Sequence, residues 1–403
     1  MIMLINMEYK YTRPLADEIL KSFKSPKDLI QIIIGARQVG KSTIAMKIAK
    51  DWDGPVIYAT ADEARPPSAE WIIHNWELSR RSATPGGKRP LLIIDEVQKV
   101  PGWGDTVKGL WDRDRFGEGG PNVLLLGSSA LMVAKGSSES LAGRFLLHRC
   151  AHWSFPECAE AFAWDLDKWL FFGGYPGASQ LIGNEVQWRS YINDSLIETA
   201  LARDVMAMQT VAKPTLLRHL FGIASVYAGQ IVSYTKMLGQ LQDAGNVTTL
   251  ANYLRLLSAA FLASGLERFS GGEVRKKGSS PKLVMWNNAL ITAPSLMTFE
   301  QARADHSYWG RLVENAVGAH LLNCLQGVPY EITYWRERDY EVDYIVRSAG
   351  TLWAIEVKSG RVRKMGGMAM FTKRNPEAKP LIIGYGGIPL EEFFSMPAIH
   401  WVG

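Results

Sequence analysis

The apolar residues in the first third of the chain fall into short continuous runs, not alternations. "LIQIII" (29–34), "LLIID" (91–95) and "NVLLLGSS" (122–129) read as strands buried on both faces of a parallel sheet, and "PVIYAT" as another strand. "TIAMKIAKDW" has the spacing of a helix following the first run, and Pro14 opens a helical lead-in, "LADEILKSFK". Strands alternating with helices predict an α/β, doubly wound parallel sheet, assigned to residues 1–165.

The pattern then changes. From 166 to 290 the chain reads as mostly helical: "TLLRHLFGIASVYAG", "SYTKMLGQLQDAG" and "VTTLANYLRLLSAAF" are amphipathic segments separated by Gly- or Ser-containing turns. The third resembles a recognition helix, with Thr248, Thr249, Asn252 and Arg255 on its polar face. A strand, a basic Gly-rich turn with Arg275, Lys276 and Lys277, and a second strand would follow as a wing. Winged helices also serve as docking or lid modules. Residues 291–403 return to a helix over 311–325 and then short strands, with a hairpin turn in "VRSAGT".

A length of 403 residues predicts two to three domains, and 47% hydrophobic with 21% charged residues suits a packed protein. A net charge of +5 permits nucleic-acid binding without demanding it. Cys150, Cys158 and Cys324 have no metal-ligand spacing and fit a reducing compartment. No signal peptide is read at the start, and no stretch approaches the roughly 20 apolar residues of a spanning helix, so a cytoplasmic location is expected.

The chemistry begins at "GARQVGKST", which fits G-x-x-x-x-G-K-[ST] from Gly35 to Ser42 between a strand and a helix. Gly35 and Gly40 are expected to supply the torsions that curl backbone N–H groups, through Gln38, Val39 and Thr43, around phosphate. Lys41 would bridge the β- and γ-phosphates and Ser42 would offer its hydroxyl to Mg²⁺. "LLIIDEVQ" ends a strand on two acids: Asp95 for the Mg²⁺ shell and Glu96 as general base. Ser128 and Ser129 end the next strand, either sensing the γ-phosphate or capping a helix. Arg144 is a candidate finger toward a neighbouring subunit's nucleotide, or a surface arginine.

These stretches, with "SLAGRF" and, further on, "FFGGYPGA", "ALARDV", "RLVENAVGAHL", "YWRERDYEVDYIV" and "AIEVKSG", resemble the prokaryotic (archaeal-type) AAA-like P-loop ATPases over nearly the whole chain. The resemblance implies an AAA-like core, a winged-helix segment and a terminal PD-(D/E)xK restriction-endonuclease-like domain. It also places Arg144 at the finger position, gives Arg203 a looser match to a lid-side arginine, and implies an oligomer, with a hexamer the commonest solution.

A nuclease of that kind needs oxygen ligands for Mg²⁺ and a lysine. Glu314 on the helix, Asp343 in "YEVDYIV", and Glu356 and Lys358 in "WAIEVKSG" supply them in order, and a hairpin would set Asp343 nearly opposite Glu356. Glu341, beside Asp343, also fits a merely acidic strand. The fold follows from this pattern; cleavage does not. The basic run "GRVRKMGGMAMFTKR" could contact phosphates or face solvent. The expected function is an oligomeric ATPase, using ATP and Mg²⁺, that remodels or translocates on duplex, single-stranded or branched DNA. The nuclease-like domain is expected to bind DNA; the alternatives are an ATP-gated switch whose nuclease-like part is an inert scaffold, and a working Mg²⁺-dependent endonuclease in which ATP controls cleavage.

Overall fold

Five parallel strands form the centre of the first unit, in the order β2-β3-β4-β1-β5. They are β1 (Ile30–Gly35), β2 (Val56–Thr60), β3 (Leu91–Asp95), β4 (Asn122–Ser128) and β5 (Phe145–Cys150). The computed structural model describes residues 11–25, 28–115, 119–128, 141–206, 211–241, 246–271, 280–348, 350–360 and 366–403. β1 and β3 are buried at every position, as their continuous apolar runs predict. Alternating β5 was not read as a strand, because its burial alternates where it pairs with β1 at the sheet edge.

Helices α1 (Leu15–Ser22), α2 (Lys41–Asp51), α3 (Ala69–Arg81) and α4 (Trp103–Arg115) surround this sheet. α2 packs on β1, β3 and β4 through Ile44, Ala45, Ile48 and Ala49. A separate apolar cluster joins Ile32, Ile34, Leu92, Ile94 and Leu125 to Ile72 and Trp76 of α3 and Trp103, Val107 and Trp111 of α4. Trp76 lies fully buried within it, and its indole N–H donates to Asp114 at 2.7 Å.

The chain divides into two compact units, Met1–Cys150 and Ala151–Gly403. Residues 166–290 and 291–403 both fall within the second compact unit. The second unit contains helices Pro214–Val226, Tyr234–Gln240 and Val247–Ala259, then the antiparallel pair β6 (Ala263–Leu266) and β7 (Lys282–Met285). Arg275, Lys276 and Lys277 lie outside the described residues.

Helix His306–Cys324 leads into β8 (Glu331–Glu337), β9 (Tyr340–Ser348) and β10 (Thr351–Lys358), which are antiparallel. Helix Gly366–Arg374 then returns the chain to β11 (Ala378–Gly384), parallel to β10. The buried Asn315 amide binds this helix to β7: its oxygen accepts from Met285 N–H at 2.8 Å, and its nitrogen donates to Met285 O at 3.0 Å.

His148 sits buried on β5 with Nε2 2.7 Å from Gln31 Oε1, and burial pulls its pKa from 6.5 to about 4. A base depressed in the fold favours folding above its ordinary pKa, and that contribution is lost as pH falls toward the folded value. Denaturant titration of the wild type should therefore show up to about 3 kcal/mol of stability lost between pH 6.5 and about 4 beyond that of His148→Asn. Equal pH slopes would refute it.

Candidate functional site

Gly35 and Gly40 do different work. Gly40, at φ 94°, occupies the left-handed region at the start of α2, where a side chain is strained. Gly35 needs no such torsion: a Cβ there would lie 2.2 Å from the carbonyl oxygen of Cys150, so Gly35 allows β1 and β5 to approach at the base of the loop. The expectation that both supply unusual torsions is corrected for Gly35. The second left-handed residue of the loop is Gln38, at φ 58°.

Lys41 turns its ammonium back onto the loop, donating to Gly35 O at 3.1 Å and Ala36 O at 2.7 Å. Val39 is fully buried, and its carbonyl accepts from Arg13 Nη1 at 3.3 Å, while another donor contact of Arg13 reaches Cys150 Sγ at 3.0 Å. Arg13 was not singled out from the sequence. Thr43 lies one turn into α2 and is half-buried.

β3 delivers Asp95 to the same place. Its carboxylate is only 8% exposed. Oδ2 accepts from Ser42 Oγ at 2.8 Å and from Tyr58 OH at 2.7 Å, and Oδ1 accepts from the Glu96 N–H at 2.9 Å. Donors from β2, α2 and the turn after β3 thus converge on one carboxylate. Tyr58 was missed, although its strand borders β3 and it stands two residues before Thr60, the partner of Asp95.

Glu96 takes a left-handed conformation at φ 55°, which for a side chain other than glycine costs on the order of 1 kcal/mol. Its Oε2 accepts from Gln98 Nε2 at 2.6 Å. Burial raises the Glu96 pKa above its usual 4.5 despite the opposing pull of Lys41, and neighbouring Asp95 pushes it further up.

The paired Ser42 hydroxyl and Asp95 carboxylate fit Mg²⁺, for which both are ordinary oxygen ligands. The register pairs Ser128 of β4 with Gly35, so its backbone lies at the loop's mouth. Ser129 lies outside the described residues.

Arg144 lies at the opposite end of the sheet. Phe145 pairs with Ile30, whereas the loop leaves β1 beside Cys150, a strand's length of roughly 17 Å away. Its guanidinium grips Asp112 of α4 through Nε at 2.8 Å and Nη2 at 3.0 Å, and this holds Asp112 below the usual carboxylate range. Arg203 is exposed on the helical segment Ala200–Val205 of the second unit.

In the second unit, the hairpin register pairs Tyr344 with Ile355, so Asp343 and Glu356 are next in line. Asp343 Oδ2 accepts from Val357 N–H at 2.8 Å. Oxygen atoms of Glu314, Glu341 and Asp343 lie within 4.8 Å of one another. Glu356 is not in that group: it is buried and ion-paired with Lys358. Lys282 of β7, fully buried and absent from the sequence reading, places its ammonium 2.6 Å from Glu314, 3.3 Å from Glu341 and 3.5 Å from Asp343. The nuclease-type metal does not fit here, because an ion bonded to these three oxygen atoms would occupy the position of the ammonium.

Residues 27–159 match a family described as an AAA domain. Residues 163–301 and 309–392 match two domains of unknown function, DUF8612 and DUF4143. The first unit thus carries an AAA-type P-loop ATPase domain, in agreement with the geometry at Gly35–Ser42 and Asp95. An uncharacterised protein of Methanocaldococcus jannaschii, MJ1544, is 25% identical over 345 residues, spanning 79% of this chain and 72% of that protein. Among solved structures, a point variant of Thermotoga maritima RuvB is 16% identical, with a TM-score of 0.32 over 65% of this chain and 89% of that one. AMPPCP-bound DnaA of Aquifex aeolicus is also 16% identical, with a TM-score of 0.32 over 61% of this chain and 87% of that one. No helix among the described residues is long and apolar enough to cross a membrane.

Gly35→Ala should cost about 1–3 kcal/mol in equilibrium unfolding, because the added methyl meets backbone and not a flexible side chain. Wild-type stability in that variant would show that β5 yields there.

Proposed function

We propose that this chain is an oligomeric, Mg²⁺-dependent ATP hydrolase that works on DNA. The observation that carries the hydrolase reading is Asp95 meeting Ser42 at 2.8 Å, with Glu96 on the next residue and Lys41 on the loop. Lys41 leaves the loop carbonyls for the β- and γ-phosphates, and the N–H groups of residues 38–43 take the remaining phosphate oxygens. Ser42 and Asp95 would hold Mg²⁺, whose positive charge would supply electrostatic stabilisation to the phosphates. Glu96, whose proton affinity is raised by burial, accepts a proton from the attacking water. Ser128, whose backbone pairs with Gly35, is the γ-phosphate contact in this reading.

Arg144 is too far from its own loop to act there, so in this reading it acts on a neighbour's nucleotide after releasing Asp112. The helix Val247–Ala259 supports the DNA reading. Leu250, Tyr253, Leu254 and Leu257 are buried, while Thr248 and Arg255 are exposed and Asn252 is half-exposed on the other face. The order helix, three strands, helix and strand over 306–384 supports a restriction-endonuclease-like fold. The ammonium within its acidic cluster favours that fold as an inert scaffold, the feature shared with the ATP-gated switch reading.

Phosphate release should rise several-fold with duplex, single-stranded or branched DNA and vanish in Lys41→Ala, while Arg144→Ala should lose about 10³-fold. Turnover indifferent to every DNA form would favour the switch, and a fully active monomer would remove the finger role. Because Glu96 must be ionised to act, turnover should fall on acidification with a midpoint above the ordinary 4.5. A midpoint at or below 4.5 would contradict that role.

A further inference from the structure

Lys282 is the first residue of a strand buried throughout, and its ammonium has no access to water. Burying an unpaired ammonium is prohibitive, so its position is set by what surrounds it. Three carboxylates do so, from separate places: Glu314 from the His306–Cys324 helix, and Glu341 and Asp343 from alternate positions on β9. The Tyr344 ring lies 4.9 Å from the same nitrogen, and the Tyr344 hydroxyl donates to Glu314 O at 2.8 Å, which ties the helix to the strand.

Lys282 is also anchored at its backbone, pairing with Leu266 across β6–β7 and bridging Ile231. The ammonium is thus delivered by a fixed strand and not by a mobile tail. Burial pulls its pKa down, but the three acids outweigh that and hold it above the ordinary lysine value. Glu314, by contrast, is pushed up to about 7, first by burial and against the pull of Lys282.

We propose that Lys282 is the resident cation of this acidic site: its ammonium occupies the place that a divalent metal would take among Glu314, Glu341 and Asp343. The arrangement of a metal nuclease is present in its acids and filled by the chain itself. Glu356 and Lys358 form their own pair beside it, and Glu356 Oε2, buried, has no hydrogen-bond partner among the described residues. The cluster therefore holds strand β7 to the helix and sheet that follow it, and it accepts a divalent ion only when the ammonium is removed.

The test uses full-length protein and Mn²⁺ alone as the probe, counted by the loss of the free-ion electron paramagnetic resonance signal. All variants carry Asp95→Asn, so that the nucleotide site does not contribute. With Lys282 present, Asp343→Asn should leave the number of bound ions unchanged. Lys282→Met should gain one ion per chain, bound at least ten-fold tighter than any ion on the parent, and should lose it again when Asp343→Asn is added. A folded Lys282→Met that gains no ion would overturn the proposal. If Lys282→Met does not fold, the parent comparison decides: equal counts with and without Asp343→Asn support a resident ammonium, and one ion fewer in Asp343→Asn overturns it.

Discussion

The P-loop end of the sheet depends on satisfying one carboxylate, Asp95, where water scarcely reaches it. A buried carboxylate is tolerable only when donors converge on it, and here a hydroxyl from α2, a phenol from β2 and the following backbone N–H do so. Those three donors bring the loop, the second strand and the turn bearing Glu96 into register. The requirement extends into the fold. β3 must be buried in the sheet interior to deliver Asp95, and β1 must lie close enough to β5 for Gly35 to have no side chain.

The second unit meets a similar problem with a different donor. Glu314, Glu341 and Asp343 gather around an ammonium instead of hydroxyls and N–H groups. Hydroxyl donors leave a carboxylate's charge free to bind a cation, whereas an ammonium supplies that cation itself. Two acidic sites in one chain thus differ in what they can do, although both read in the sequence as metal-binding patterns.

Much of this was legible along the chain because parallel, doubly covered strands leave continuous apolar runs. β3 begins and ends where "LLIID" does, and the P-loop pattern led to a loop whose Lys41 folds back on the loop carbonyls and whose Ser42 meets Asp95. The hairpin at "VRSAGT" also brought Asp343 and Glu356 into line. What was hidden depended on long-range contacts. β5 alternates because it lies at an edge. Lys282 looks like an ordinary polar start to a strand, and only the fold shows it enclosed by acids that follow 32 to 61 residues later. Glu341 shares a face with Asp343 by simple alternation, so it joined the cluster, while Glu356 took the nearer Lys358. Gly35 was read as a torsional requirement, but its reason lies in Cys150, distant in sequence.

The proposed hydrolysis rests on a division of labour between neighbouring acids, in which Asp95 serves binding and Glu96 serves chemistry. The most direct measurement is nucleotide affinity alongside single-turnover hydrolysis in Glu96→Gln. Affinity for Mg²⁺-ATP should stay within a few-fold of wild type while the hydrolysis step slows by about 10²-fold or more. Hydrolysis at the wild-type rate in that variant would contradict the assignment.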